Sequence, residues 1–196
     1  MNILLSYSWL KEYVATKKQP RDLAKLLSLH SMSVERVLPE VDLLSDKIVL
    51  GEILEVNPHP NADRLKLAVV NVGQEKVNVV CGAPNIKVGM KIAFAKSGSM
   101  VRWHGEGDPI ELKPAKVRGV ESFGMICDDC EIGLAKLPNP LGVTDYSHLK
   151  AKVGTPMAEA LKLDDTIMDT EITTNRIDAA SVVGMAREVA AMTGEK

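Results

Sequence analysis

Residues 47–117 constrain the fold more than any other part of the chain. Ile48-Val49-Leu50-Gly51-Glu52-Ile53-Leu54-Glu55-Val56 is strand-like, and Leu65, Leu67 and Val69 alternate with Lys66 and Ala68. Val77, Val79 and Cys81 alternate with Asn78 and Val80, and the pairs Ile92/Phe94 and Ala115/Val117 repeat the theme. A strand sends successive side chains to opposite faces, so a period of two marks a half-buried strand. Several short runs of this kind separated by glycine turns predict a small barrel or sandwich. Asn57-Pro58-His59-Pro60-Asn61 is predicted to be a turn or loop, because two prolines forbid helix. Residues 103–108 hold two glycines and read as a hairpin tip.

Both flanks differ from this all-β middle. Residues 2–6 are a short apolar strand, and residues 8–14 read as a short helix capped by Ser6 or Ser8. A second helix begins at Gln19-Pro20, where proline suits the first helical position. Leu23, Leu26, Leu27 and His30 give it one apolar face. Residues 33–41 then read as extended. After an irregular stretch at 138–146, Thr155-Pro156 caps a helix ending near Leu163, and residues 166–173 form a strand. Asp178 starts a last helix with Val182, Ala186, Val189 and Ala190 on its apolar face, ended by Gly194. Neither flank alone offers a two-sided core. The predicted organisation is therefore α+β: residues 1–40 and 152–196 are the two halves of one small mixed α/β domain, with a barrel of residues 41–151 inserted between them.

Composition excludes several classes. The longest apolar runs fall well short of the ~18 residues that span a membrane. The N-terminus lacks a basic region before its apolar stretch and does not read as a secretion signal. Three cysteines provide no disulfide framework, which points to a cytoplasmic setting. The net charge is −2, and residues 40–151 alone carry thirteen Lys and Arg against fifteen Asp and Glu. Any nucleic-acid contact must therefore rest on local positive charge.

No residue set reads as catalytic. There is no phosphate-binding glycine loop and no defensible Ser/His/Asp order. Cys127-Asp128-Asp129-Cys130 is a CxxC, yet zinc would need a second ligand pair at a suitable spacing. Two intervening aspartates also oppose the lowered thiol pKa of a redox pair. Packed cysteines at a strand end are the simpler reading, and no metal site is predicted. Lys113, Lys116 and Arg118 lie along one apparent strand, and Lys87, Lys91 and Lys96 lie close together in sequence. Either group can form a stripe that contacts phosphate. Charge runs on a surface are also commonly just solvated. Aromatic residues make up only 4%, too few for the stacking platforms of general single-strand binders. Shape and backbone recognition of a folded RNA fits better.

Four stretches in order resemble one family. SWLKEYV (8–14), PHPNADRL (58–65) with VCGAPN (80–85), RGVESFGMIC (118–127) with EIGL (131–134), and EITTNRIDAASVVGMAREVAA (171–191) resemble the N-terminal portion of bacterial phenylalanyl-tRNA synthetase β subunits. The resemblance implies an OB-type tRNA-binding barrel with no catalytic centre of its own. It implies that the chain is part of a longer subunit in an α2β2 ligase that uses ATP and magnesium, with the α subunit and the tRNA for phenylalanine as partners and neither membrane nor DNA involved. The barrel motifs also occur in freestanding tRNA-binding proteins, against which the two flanks argue. A protein-docking role for the barrel is the reading from a different class. Carried over by motif, Asn85, Ser122 and Met125 line the RNA-binding face, and Lys87, Lys113, Lys116 and Arg118 are its candidate cations. Asn85, Lys87, Lys116, Arg118, Ser122 and Met125 are expected to converge on one face. The segment 135–150 fits the family poorly, and its path is left open.

Overall fold

In a computed structural model, which describes residues 1–39, 41 and 43–195, the chain divides into two compact units: residues 1–40 with 164–196, and residues 41–163. The elements in chain order are β1 (Asn2–Ser6), α1 (Tyr7–Leu10), α2 (Pro20–His30), β2 (Val34–Pro39), β3 (Ile48–His59), β4 (Ala62–Asn71), β5 (Lys76–Cys81), β6 (Lys91–Ala95), β7 (Met100–Val101), β8 (Ile110–Glu111), β9 (Ala115–Val117), β10 (Val120–Ser122), β11 (Met125–Cys127), α3 (Met157–Leu161), β12 (Thr166–Glu171) and α4 (Val182–Thr193). Every strand ladder among the described residues is antiparallel.

The first unit is a three-stranded sheet in the order β1-β12-β2, packed with α1, α2 and α4. Leu5, Leu10, Leu23, Leu27, Met168, Met185 and Val189 form its core. The Ser6 hydroxyl accepts from the Trp9 amide and starts α1, which is shorter than the predicted 8–14 helix and continues as turns to Val14. The last helix starts later than Asp178. Residues Thr174–Ala179 form a 3-10 segment, and Ser181 caps α4 by accepting from the Gly184 amide. Serine fits this position because its short side chain reaches an otherwise unpaired first-turn donor.

In the second unit, one five-stranded sheet in the order β11-β6-β3-β4-β5 serves two cores. Ile92 and Phe94 of β6, with Val49 and Ile53 of β3, enter one cluster; Ala93 and Ala95, with Ile48 and Leu50, enter the other. This is why β6 and the first half of β3 read as nearly continuous apolar sequence: both of their faces are covered. Strands β4 and β5 contribute Ala68, Val70 and Val79 to the first cluster only, which leaves their other face outward. The second cluster is covered by Val101, Ile132, Tyr146 and Met157.

Two expectations are corrected here. Strand β3 runs through Pro58 to His59, so the expected turn is confined to Pro60-Asn61, between β3 and β4. The ladder shifts register between Pro58 and His59, and an irregularity of that kind tolerates a residue with no amide donor. The second correction concerns residues 152–163, assigned above to the outer flank. They fold with the sheet of the second unit: the Leu50 amide donates to the Thr155 carbonyl at 2.8 Å, the Gly154 amide donates to the Leu50 carbonyl at 2.7 Å, and the Met157 side chain is fully buried. The expected barrel also does not close as a ladder. Strands β11 and β5 are the two edges of the sheet.

Gly184 illustrates how tightly α4 is seated. A Cβ there would lie 2.0 Å from the Asp178 carbonyl oxygen. Alanine favours a helix over glycine by about 1 kcal/mol, but overpacking costs about 1–3 kcal/mol or more. Gly184→Ala is therefore expected to be destabilising, with a lower urea midpoint at unchanged slope; an unchanged or raised midpoint would contradict this packing.

Candidate nucleic-acid interface

The stretch expected to be one strand carrying Lys113, Lys116 and Arg118 is in fact part of a hairpin. Strand β9 turns at Arg118-Gly119 and returns as β10, with Val117 opposite Val120, Lys116 opposite Glu121 and Ala115 opposite Ser122. Both turn residues have positive φ, 48° at Arg118 and 95° at Gly119. That is the requirement of the tight turn whose twist matches two antiparallel strands. Opposed residues share a face, so Lys116 and Glu121 lie on one side and Ser122 on the other.

The hairpin is tied to the sheet at its tip and at its base. At the tip, the His59 ring accepts from the Asn61 amide at Nδ1 (3.1 Å), which leaves Nε2–H to donate to the Val117 carbonyl (3.2 Å). The Asn61 side chain donates to the Arg118 carbonyl at 3.0 Å. His59 is buried and serves as a spacer, and the Asn61 side chain holds the turn by donation. At the base, the Val80 amide donates to Ser122 Oγ (3.1 Å) and the Phe123 amide donates to the Asn78 carbonyl (3.0 Å). The chain then crosses at Gly124 to β11, which pairs with β6. A Cβ on Gly124 would stand 2.6 Å from the Phe94 ring, so only glycine permits this crossing.

These contacts reassign half of the expected site. Ser122 is 6% exposed and its hydroxyl also reaches the Gly124 carbonyl, so it is part of the closure and not of the surface. Met125 is half-buried against the second core cluster. Asn85 clamps the irregular segment after residue 134: its amide donates to the Val143 carbonyl at 2.7 Å and its oxygen accepts from the Val143 amide at 3.1 Å. The same segment is held by Asp129, which accepts from Thr144 at 2.8 Å and from the Tyr146 hydroxyl. The cations remain at the surface. Lys87 lies 3.8 Å from Asp145 and Lys113 lies 3.8 Å from Glu111, both exposed pairs. Exposed pairs of this kind are worth about 0–1 kcal/mol, so either lysine can exchange its partner for a phosphate at little cost. Lys116 and Arg118 are exposed on the hairpin. The six residues expected to converge thus do not share one face.

A groove that the sequence reading missed lies beside the hairpin. Asn57, Leu67, Val69 and Asn78, from the outward face of β3, β4 and β5, form one wall; Val120, Glu121 and Phe123 form the other. Across Phe123 a second hollow is lined by Glu75, Lys76, Asn78, Lys96 and Ser97. The CxxC takes no part. Cys127 and Cys130 are buried, and burial pushes both thiols up, Cys130 to about 11, with Asp128 adding to the effect.

Residues 48–137 match the family described as "Putative tRNA binding domain". The chain is 42% identical over 94% of its length to the phenylalanine–tRNA ligase β subunit of Hahella chejuensis, 39% over 96% to that of Francisella tularensis, and 39% over 98% to that of Trichormus variabilis. Over nearly its whole length the chain is similar to phenylalanine–tRNA ligase β subunits. It spans only 22%, 23% and 23% of the length of these three relatives. Among solved structures, similarity extends to an RNA ligase from Naegleria gruberi (17% identity, TM-score 0.39, 66% of this chain and 36% of that one) and to a MetRS related protein from Pyrococcus horikoshii (24% identity, TM-score 0.34, 55% and 85%). Within this chain, the Pro-His-Pro-Asn and Ser-x-Gly-Met motifs are two ends of one device: the first holds the hairpin tip and the second its base.

The role of Asn85 is open to test by stability. Asn85→Ala leaves the Val143 amide and carbonyl without partners, at a cost of about 1–3 kcal/mol. The urea midpoint is expected to fall, and amide exchange in residues 139–149 to quicken. An Asn85→Ala protein as stable as the parent, with unchanged exchange, would show that the clamp does not hold this segment.

Proposed function

We propose that this chain is a non-catalytic tRNA-binding part of a phenylalanine–tRNA ligase, with the β9–β10 hairpin and the groove beside it facing the RNA. The observation that carries this reading is the hairpin itself. It presents Lys116 and Arg118 on a turn fixed from below by His59 and Asn61, within the segment that matches the tRNA-binding family. Fixed cations position a phosphate backbone without reading sequence, and the mixed charge of the chain suits weak, salt-sensitive contact. Of the remaining candidates, Lys87 and Lys113 add peripheral charge, and Asn85, Ser122 and Met125 act through the scaffold.

The five-stranded sheet with its two-bond closure is best read as a partly open OB-type barrel. On this reading it is inserted in a small α/β domain built from both chain ends, since the chain leaves the first unit near residue 40 and returns at 164. The parent enzyme would join phenylalanine to tRNA in the cytoplasm using ATP and magnesium, as an α2β2 assembly, with the chemistry outside these residues. The ATP and magnesium of this reading are those of the parent enzyme. A second reading, docking onto another protein segment, is favoured by one observation: Lys87, Lys113 and Lys116 each already face a carboxylate.

Titration of the chain with the tRNA for phenylalanine at two salt concentrations separates the two. Binding is expected at low salt, and Lys116→Ala and Arg118→Ala should each weaken it and reduce the log–log salt slope by about 0.7 to 0.9. No binding by the parent at low salt would favour the docking reading, as would variants that bind like the parent.

A further inference from the structure

Two aromatic residues of the second unit face solvent, Trp103 (55% exposed) and Phe123 (44%), whereas Phe94 is fully buried and Tyr146 is 5% exposed. Of the two, Phe123 adjoins the groove beside the hairpin. Its backbone is nevertheless fixed on both sides. Its own amide donates to the Asn78 carbonyl, the preceding Ser122 hydroxyl accepts from Val80, and the following Gly124 lies against the Phe94 ring. A large apolar ring left 44% exposed on a fixed backbone forgoes a substantial part of the stabilisation that full burial would give.

The surroundings of the ring are equally specific. On one side lies the hollow of Asn57, Leu67, Val69 and Val120. On the other lie Lys76 and Lys96, with one carboxylate, Glu75, at the same hollow; neither lysine makes an ion pair among the described residues, so the hollow holds two cations against one anion. Asn78 lines both hollows, and its side chain has no hydrogen-bond partner among the described residues. A flat apolar surface, an amide with free donors and an acceptor, and two unpaired cations are the complement of one nucleotide: base face, base edge and phosphate.

We propose that Phe123 is the stacking residue for a single unpaired nucleotide of the bound RNA, whose base lies in the hollow of Leu67, Val69 and Val120 with its edge at Asn78 and whose phosphate lies at Lys76 and Lys96. This rests on the tRNA-binding reading and deepens it, because the chain then selects an unstacked base as well as the backbone. One aromatic residue suffices for one base, so the low aromatic content is no obstacle.

The test uses the whole chain with two probes: the tRNA for phenylalanine, and an RNA duplex of similar length with no unpaired nucleotide. Phe123→Ala is expected to weaken tRNA binding about 5- to 150-fold, the range of one base–aromatic stack, and to leave duplex binding and the salt slope unchanged. Phe123→Leu, which keeps apolar bulk without a flat face, should behave like Phe123→Ala, and Phe123→Trp like the parent. Lys76→Ala and Lys96→Ala should each reduce the salt slope on tRNA. The proposal is overturned if Phe123→Ala binds tRNA as the parent does, if it loses tRNA and duplex equally, or if Phe123→Leu retains full affinity. If the parent itself binds no tRNA at low salt, the tRNA-binding reading fails and takes this one with it. Parent binding with an indifferent Phe123→Ala removes the stacking site alone.

Discussion

Strands β11 and β5 are the edges of the five-stranded sheet, and two hydrogen bonds join β5 to the segment that leads into β11: Val80 amide to Ser122 hydroxyl, and Phe123 amide to Asn78 carbonyl. Much of the second unit depends on that crossing. An open sheet edge exposes unpaired backbone groups and invites pairing with another chain. Here residues 122–124 occupy the β5 edge and then pass over Phe94 to begin β11. The crossing requires a small hydroxyl at Ser122 and no side chain at Gly124, and it fixes where Phe123 can stand. The hairpin β9–β10 hangs from the same crossing and is pinned at its other end by His59 and Asn61. A surface loop with four anchors loses little further freedom when a ligand arrives, and this lowers the entropic cost of binding.

The same logic separates scaffold from surface within one motif. Ser122 and Met125 are turned inward, whereas Phe123 between them faces solvent. A motif shared among relatives can therefore mark a binding face through residues that never touch the ligand. Ser122 acts by holding the backbone from which its neighbour projects. Asn85 is a parallel case, since both ends of its amide are spent on Val143.

Much of the secondary structure was legible in the sequence, for a physical reason. Period-two alternation at 65–69 and 77–81 reports strands with one buried face, and Leu23, Leu26 and Leu27 report a helix with one buried stripe. The closing elements were less legible. Residues 113–118 looked like one strand because Lys116 and Arg118 alternate with Val117; the positive φ at Arg118 has no signal beyond the glycine that follows it. Pro58 read as a breaker because a register shift that accommodates it depends on the partner strand β4. Residues 152–163 were assigned to the wrong unit because their anchor, the Leu50 backbone, lies about a hundred residues away. The groove beside Phe123 was invisible for the same reason: its walls come from four strands.

The central claim is that the hairpin and the groove beside it face the RNA. It is tested most directly by recording backbone amide resonances of the chain with and without the tRNA for phenylalanine, at low salt. The account predicts shifts concentrated at residues 76–80, 96–97 and 116–123, with little change in residues 1–39 and 166–193. Shifts confined to residues outside the hairpin and the groove, with 116–123 unmoved in the bound state, would contradict it.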